Sequence, residues 1–359
     1  MENLRRLLRI TCVLSRISYA ILLAKFFKQR RPIFVGLYIT NRCNLRCAYC
    51  FVNINKRFDD PAHSGLSTPD IIKTIDELYV LGTRWIFLLG GEPLIHPDIG
   101  LIVEHIVKKG MLLHILTNGT LVEQKIGQIA RADGICISID GDKEATDAMR
   151  GAGTFQRALR GAEVALLHGM NTRIHAVLNK HSLKDMENLA RMAKRIGVTI
   201  TISPPNYLGA SDDPALALSA DEYRDFYRRY RKLKEQGFPI GNSFFSINKA
   251  LSWPIDYHAY ISKGQHTPGY QPIPCVIADL HGCIDAEGVM FNCIQKGCLD
   301  GLNIKEVGLR KAWDELPRRR PDCVSCASVN TIETAAYLTL RQEIFADGLR
   351  FFFRRLKKK

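Results

Sequence analysis

Between Ile33 and Ser203, short apolar runs alternate with longer stretches of helical periodicity, and that rhythm leaves few folds open. Ile33–Ile39, Trp85–Leu89, Leu112–Leu116, Ile135–Ile139, Ile174–Leu178 and Thr199–Ile202 are candidate strands. Pro69–Leu81, Ile99–Lys109, Gln124–Arg131, Phe155–His168 and Leu183–Ile196 are candidate helices, with Thr68 and Ser182 at the N-cap positions of the first and last. Strands that read as continuous apolar runs and alternate with helices are parallel and covered on their outer face. Six such units in succession predict an α/β fold, a partial (β/α)6 TIM-type barrel whose sites lie at the carboxyl ends of the strands.

After Ser203 the rhythm stops. A loop through Asp213 leads to a charged helix from about Ala220 to Gln236, then to a loop-rich stretch, 237–274. From Cys275 onward six cysteines fall within 52 residues, which marks a second domain. A chain that is 46% hydrophobic and 24% charged can bury a full core, so disorder and a collagen-like fibre are excluded. Eleven cysteines are too few for a secreted disulfide scaffold and too clustered for random core positions, so metal or cluster binding is expected. Cys12 and Cys136 stand alone and read as ordinary apolar residues.

The chain carries a net charge of +14, unevenly spread: residues 1–31 hold eight Lys/Arg against one acid, and residues 341–359 seven against two. The longest charge-free apolar run near the start, Ile17–Ala24, falls far short of the roughly 18–20 residues of a membrane span, so no transmembrane helix is expected. Nor does a cleavage site follow, and the segment reads as retained.

Cys43, Cys47 and Cys50 follow the first strand directly, in Cys43-Asn44-Leu45-Arg46-Cys47-Ala48-Tyr49-Cys50. A structural zinc site takes four protein ligands. Three closely spaced thiolates on one loop suit a [4Fe–4S] cluster with one iron left open. With this CxxxCxxC loop after the first strand, the sequence resembles the radical S-adenosylmethionine (SAM) superfamily over about residues 33–205. Further motifs keep the family's order. Gly90-Gly91-Glu92-Pro93 follows the second strand and resembles the segment that binds the SAM amino group, with glycines letting backbone approach the ligand and Glu92 facing its charge. Asn118 lies in Thr117-Asn118-Gly119 after the third strand, and Ser138 and Asp140 end the fourth, where the family contacts the ribose and methionine portions. The resemblance further implies that Arg150 contacts the SAM carboxylate, that Tyr49 packs on the adenine, and that Asn179 is a further SAM contact. It also implies reductive cleavage of SAM to a 5′-deoxyadenosyl radical, and a reductant such as flavodoxin or ferredoxin.

The later cysteines resemble the auxiliary-cluster extension called SPASM, or its shorter form, twitch. This implies a C-terminal cysteine-rich twitch/SPASM-like domain beside the barrel mouth. There Cys275, Cys293, Cys323 and Cys326 hold a second, auxiliary [4Fe–4S] cluster, with Cys283 as an alternative ligand and Cys298 left over. A zinc ribbon is the bland alternative. The expected divisions are a basic amphipathic helix over 1–31, the radical SAM partial barrel over 32–236, the auxiliary-cluster domain over 237–335 and a basic amphipathic tail over 336–359.

Leu4, Leu7, Leu8, Leu14, Ile17 and Ile21 recur at helical spacing with Arg5, Arg9 and Arg16 away from them, and Phe351-Phe352-Phe353 precede a run of Arg and Lys. Both ends suit an anionic membrane interface; for the first helix the alternative is packing across the barrel bottom. Nucleic acid is not an expected partner, because no base-stacking groove or recognised RNA module is visible. The first expectation is a cytoplasmic enzyme, peripherally associated with the inner face of the membrane, acting on an apolar or lipid-linked substrate. The alternatives are a peptide maturase, a small alcohol or sugar dehydrogenase, and, outside enzymes, an iron–sulfur electron carrier or redox sensor.

Overall fold

The computed structural model describes residues 2–50, 65–205, 216–293, 301–319, 322–344 and 346, with side chains from residue 9. Helix α1 (Glu2–Phe27) opens the chain. Six parallel strands follow: β1 (Phe34–Tyr38), β2 (Trp85–Leu89), β3 (Leu112–Thr117), β4 (Gly134–Ser138), β5 (Asn171–Val177) and β6 (Thr199–Ser203). Outside them lie α2 (Thr68–Leu81), α3 (Ile99–Lys108), α4 (Val122–Ile129), α6 (Thr154–Leu167) and α7 (Met186–Ile196). One short helix, α5 (Lys143–Arg150), stands after β4 where the sequence reading had none; Asp142 caps it by accepting from the Ala145 amide. The N-cap of α2 is Ser67, one residue before the expected Thr68.

Alternate strand positions explain the apolar runs. Ile86, Leu88, Ile115, Ile135, Ile137, Ile174, Ile200 and Ile202 are fully buried against the helices. The intervening positions, among them His114, Ser138, His175, Thr201 and Ser203, face the inside of the curved sheet and are more polar.

Beyond β6 come α8 (Ala220–Glu235), α9 (Phe244–Leu251) and β7 (Tyr260–Ser262), so 237–274 is less loop-rich than expected. Three short strands then extend the sheet: β8 (His281–Ile284), β9 (Val289–Phe291) and β10 (Leu302–Asn303), giving the order β10-β9-β8-β1-β2-β3-β4-β5-β6. β8 runs parallel to β1, pairing Phe34 with His281 and Leu37 with Ile284. The cysteine-rich region therefore contributes a seventh parallel strand to the barrel wall and covers the free edge of β1. β11 (Cys323–Cys326) pairs antiparallel with β7 in a separate two-stranded sheet.

The first helix takes the barrel-bottom packing that was the alternative to a membrane-facing stripe. Val13, Ile17, Ala20 and Ile21 are buried in the main core. Arg9 pairs with Asp133 and donates to the Met111 carbonyl at 2.8 Å, and both partners directly precede strands, β4 and β3. α1 therefore lies across the amino ends of the barrel strands, and Ile17 and Ile21, expected to face a membrane, face protein. By length and composition, the 19 residues Arg9–Phe27 are also long and apolar enough to cross a bilayer, which the charge-free run alone did not suggest. The side chains of Leu4, Arg5, Leu7 and Leu8, and Cys298 and Phe351–Lys359, lie outside the described residues.

Candidate active site

Cys43, Cys47 and Cys50 stand on the loop that leaves β1 at the carboxyl end of the barrel. Two backbone bonds fasten this loop to the turn after β2: the Gly91 amide donates to the Thr40 carbonyl at 2.7 Å, and the Glu92 amide to the Arg42 carbonyl at 2.8 Å. A Cβ on Gly90 would sit 2.7 Å from the Thr40 oxygen, and one on Gly91 2.4 Å from the Arg42 oxygen. The two glycines thus admit the cysteine loop at close approach.

Glu92 likewise turns inward. It is fully buried, and its carboxylate accepts from the Leu94 amide at 3.0 Å, the Thr117 hydroxyl at 2.7 Å and the Asn118 amide at 2.7 Å. Burial raises it to about 7 against these three bonds. Pro93 opens the short 3-10 turn, Pro93–Ile95, that Glu92 caps. Asn118 donates to the Asn44 side-chain oxygen at 2.9 Å and points the same amide group at Cys43 Sγ, 4.0 Å away. Glu92 and Asn118 therefore clamp the cysteine loop to β3.

A second clamp ties the loop to β4. Asp140, fully buried, accepts from Arg150 Nε at 2.5 Å, from Arg150 Nη2 at 3.1 Å, from the Val177 amide at 3.0 Å and from the Tyr49 hydroxyl. Arg150 also donates to the Tyr49 oxygen and aims Nη1 at Cys47 Sγ, 4.0 Å away. Burial works against the Arg150 charge, yet Asp140 and Tyr49 hold its pKa well above the ordinary value. Tyr49, Asp140 and Arg150 are engaged with one another, whereas the sequence reading gave each a separate part of SAM. Asn179 accepts from the amides of His181 and Ser182 at 2.9 and 3.2 Å, capping the turn after β5. Ser138 ends β4, half-buried, on the inner face of the sheet.

Cys43 and Cys47 are held as neutral thiols by their surroundings. Burial first, then the charges of Glu92, Cys47 and Cys50, push Cys43 up to about 12, although the Leu45 amide opposes the rise. Burial likewise lifts Cys47 to about 11, with Cys50 adding to it and Arg150 opposing. Thiols that resist ionisation alone and lie within electrostatic reach of one another fit a cationic group that stabilises thiolates. Among the described residues no three His, Cys, Asp or Glu side chains are placed to hold a single metal ion. An iron–sulfur cube, in which each iron takes one thiolate, does not need them to converge.

Below the loop, the inner face of the sheet has two layers. Toward the amino ends, Phe34, Trp85, Phe87, His114 and His281 pack ring on ring, with Phe34 4.4 Å from His281 and Phe87 5.2 Å from His114. Trp85 Nε1 donates to His114 Nδ1 at 2.8 Å, a bond that requires the neutral ring, and burial pushes His114 down to about 3. Nearer the cysteine loop the lining is polar: His175 Nδ1 lies 2.9 Å from the Thr201 hydroxyl, and Nε2 3.4 Å from that of Ser203. The sequence reading missed these residues. Their signal was a polar side chain at every second position of an otherwise apolar run, as in Ile174-His175-Ala176.

The second group of cysteines sits at the other end. The Cys275 amide donates to the Val324 carbonyl at 2.7 Å, which seats it against β11 and its Cys323 and Cys326. Burial pushes Cys326 up to about 12, and the charges of Cys275 and Cys293 add to it. Cys275 leads through one turn into the start of β8. Cys293 follows β9, whose antiparallel register pairs Phe291 with Cys283 and returns the chain toward the amino ends. This group therefore lies toward the barrel bottom, opposite the Cys43 loop, and not beside the mouth as expected. Cys283 is apart from it, in the β8 wall, where its Sγ fills the space above Gly36 and lies 3.8 Å from His281 Nε2.

The family model "Radical SAM superfamily" matches residues 37–193. Mycofactocin maturase MftC of Mycobacterium ulcerans is 32% identical over 296 residues, covering 80% of this chain and 75% of that protein. Fe-coproporphyrin III synthase of Methanosarcina barkeri is 30% identical over 227 residues; that match spans 60% of this chain and 56% of the synthase. Among solved structures, Streptococcus suis SuiB bound to its precursor peptide SuiA superposes with a TM-score of 0.62 at 16% identity, covering 79% of this chain and 65% of that one.

Proposed function

The chain belongs to the radical SAM superfamily, and from that premise we propose that it is a maturase, modifying a peptide at an unactivated carbon. It is an enzyme of the [4Fe–4S] cluster and SAM, with a second cysteine group for an auxiliary cluster. When bound and reduced, these groups supply a carbon radical that takes hydrogen from a substrate C–H bond.

In this reading Cys43, Cys47 and Cys50 hold the SAM cluster. Glu92, Asn118, Tyr49, Asp140 and Arg150 fix the loop that carries them. Gly90, Gly91, Ser138 and Asn179, at successive strand ends, border the place for SAM. Cys275, Cys293, Cys323 and Cys326 hold the auxiliary cluster, and Cys283 belongs to the wall. Two groups of cysteines with no disulfide among the described residues suit a reducing, cytoplasmic compartment.

One observation carries the peptide reading over the lipid one: the lumen below the Cys43 loop is lined by the hydrogen-bonding side chains of His175, Thr201 and Ser203. These groups bond one another, and the hydroxyls keep further donor and acceptor capacity that an amide can engage and a hydrocarbon chain cannot. The match to a maturase over 80% of the chain, and a precursor peptide bound by SuiB, support it. The test incubates anaerobically reconstituted protein, SAM and dithionite with a peptide extract and, separately, a lipid extract of the source cells. A SAM-dependent mass change in the peptide arm is expected; one confined to the lipid arm rejects the reading.

A further inference from the structure

α1 buries one apolar face and exposes another. The stripe Val13, Ile17, Ala20 and Ile21 is spent on the barrel. On its opposite side Tyr19, Leu22 and Phe26 are exposed, and Leu14 and Phe27 are exposed at the flanks of the buried stripe, Phe26 and Phe27 69% and 70% so. Nine large hydrophobic side chains are strongly exposed among the described residues, and these are five of them. Two more, Val80 and Leu167, end helices α2 and α6 at the same amino-end rim of the barrel. A patch gathered on one end of a molecule calls for a partner, as scattered exposed leucines do not.

The charge around this patch identifies the partner. Arg16, Lys25 and Lys28 are exposed on and after α1, in a segment whose eight Lys/Arg face one acid. On the rim, Lys108 and Arg131 share the single carboxylate Glu104, and Asp76 is matched by Lys109 and His105. These two acids are therefore neutralised, and the basic side chains of α1 lie beside its aromatic and leucine side chains.

We infer that this face of the barrel is a docking surface for an anionic lipid bilayer, on which α1 lies in the headgroup plane with Leu22 and Phe26 inserted. The Arg9–Phe27 stretch is long enough to span, but spanning would pull Val13, Ile17 and Ala20 out of the core and separate Arg9 from Asp133. The helix therefore rests on the membrane rather than crossing it, and the Cys43 loop, at the opposite end of the barrel, faces away from the lipid. The face differs from the one the sequence pattern singled out, because Ile17 and Ile21 are already occupied. The inference is independent of the substrate.

The test is flotation of the full-length, cluster-loaded protein with phosphatidylcholine vesicles, with and without phosphatidylglycerol. The expected result is co-flotation only with phosphatidylglycerol present, reversed by high salt and by alkaline carbonate. The double substitution Leu22→Ser/Phe26→Ser should lower the bound fraction by about tenfold or more. Its SAM cleavage should remain unchanged, showing that the barrel is intact. Protein that stays soluble with both vesicles, flotation unaffected by the double substitution, or resistance to carbonate would overturn the inference. So would a dimer in sedimentation velocity that the substitution dissolves, which assigns the face to a second copy.

Discussion

A guanidinium as enclosed as that of Arg150 needs a fixed counter-charge, and Asp140 supplies it through two hydrogen bonds at 2.5 and 3.1 Å. Through Tyr49 and Cys47 the same pair holds the cysteine loop, so its loss should be felt in both stability and activity. Asp140→Asn leaves Arg150 uncompensated and is expected to cost about 3–5 kcal/mol in urea unfolding. SAM cleavage should fall with it; unchanged unfolding would show that the pair does not hold the loop. At this scale the sequence revealed which residues gather at the strand ends but not their partners. Glu92, Asn118, Asp140 and Arg150 carry groups that can meet a ligand or one another, and only packing decides. Likewise His175 was legible as an interruption in an apolar strand, yet its bond to Thr201 depends on the β5–β6 register.

Among the elements, β1 to β6 were readable to within about three residues, because a fully apolar run between helical stretches admits few other readings. β8 was not. His281-Gly282-Cys283-Ile284 is short and mixed, and what makes it a strand is the open edge of β1, far away in sequence. α1 was recognisable as a helix, but one that is apolar on two sides does not announce which side the barrel takes. The placement of β8 and β9 separates the roles of the later cysteines. Cys326→Ser should reduce the iron content by about four per chain, the content of one cube, without abolishing 5′-deoxyadenosine formation. Cys283→Ser should leave iron content unchanged. Equal iron loss in both variants would move Cys283 into the ligand set.

Taken as one molecule, the chain holds two groups of cysteines at opposite ends of a curved parallel sheet. Between them the lumen passes from polar His175, Thr201 and Ser203 to the aromatic layer of Phe34, Trp85 and Phe87. A substrate bound in this lumen would have the Cys43 loop on one side and the second cysteine group on the other, an arrangement suited to withdrawing an electron from it into an auxiliary cluster once hydrogen has left. All of this depends on the first cysteine loop carrying the catalytic cluster. The direct measurement is 5′-deoxyadenosine formation by anaerobically reconstituted Cys47→Ala beside the wild type, with iron counted in both. The account predicts that the variant loses the nucleoside product and about four irons while keeping the auxiliary cluster. A variant that still cleaves SAM at the wild-type rate would contradict it.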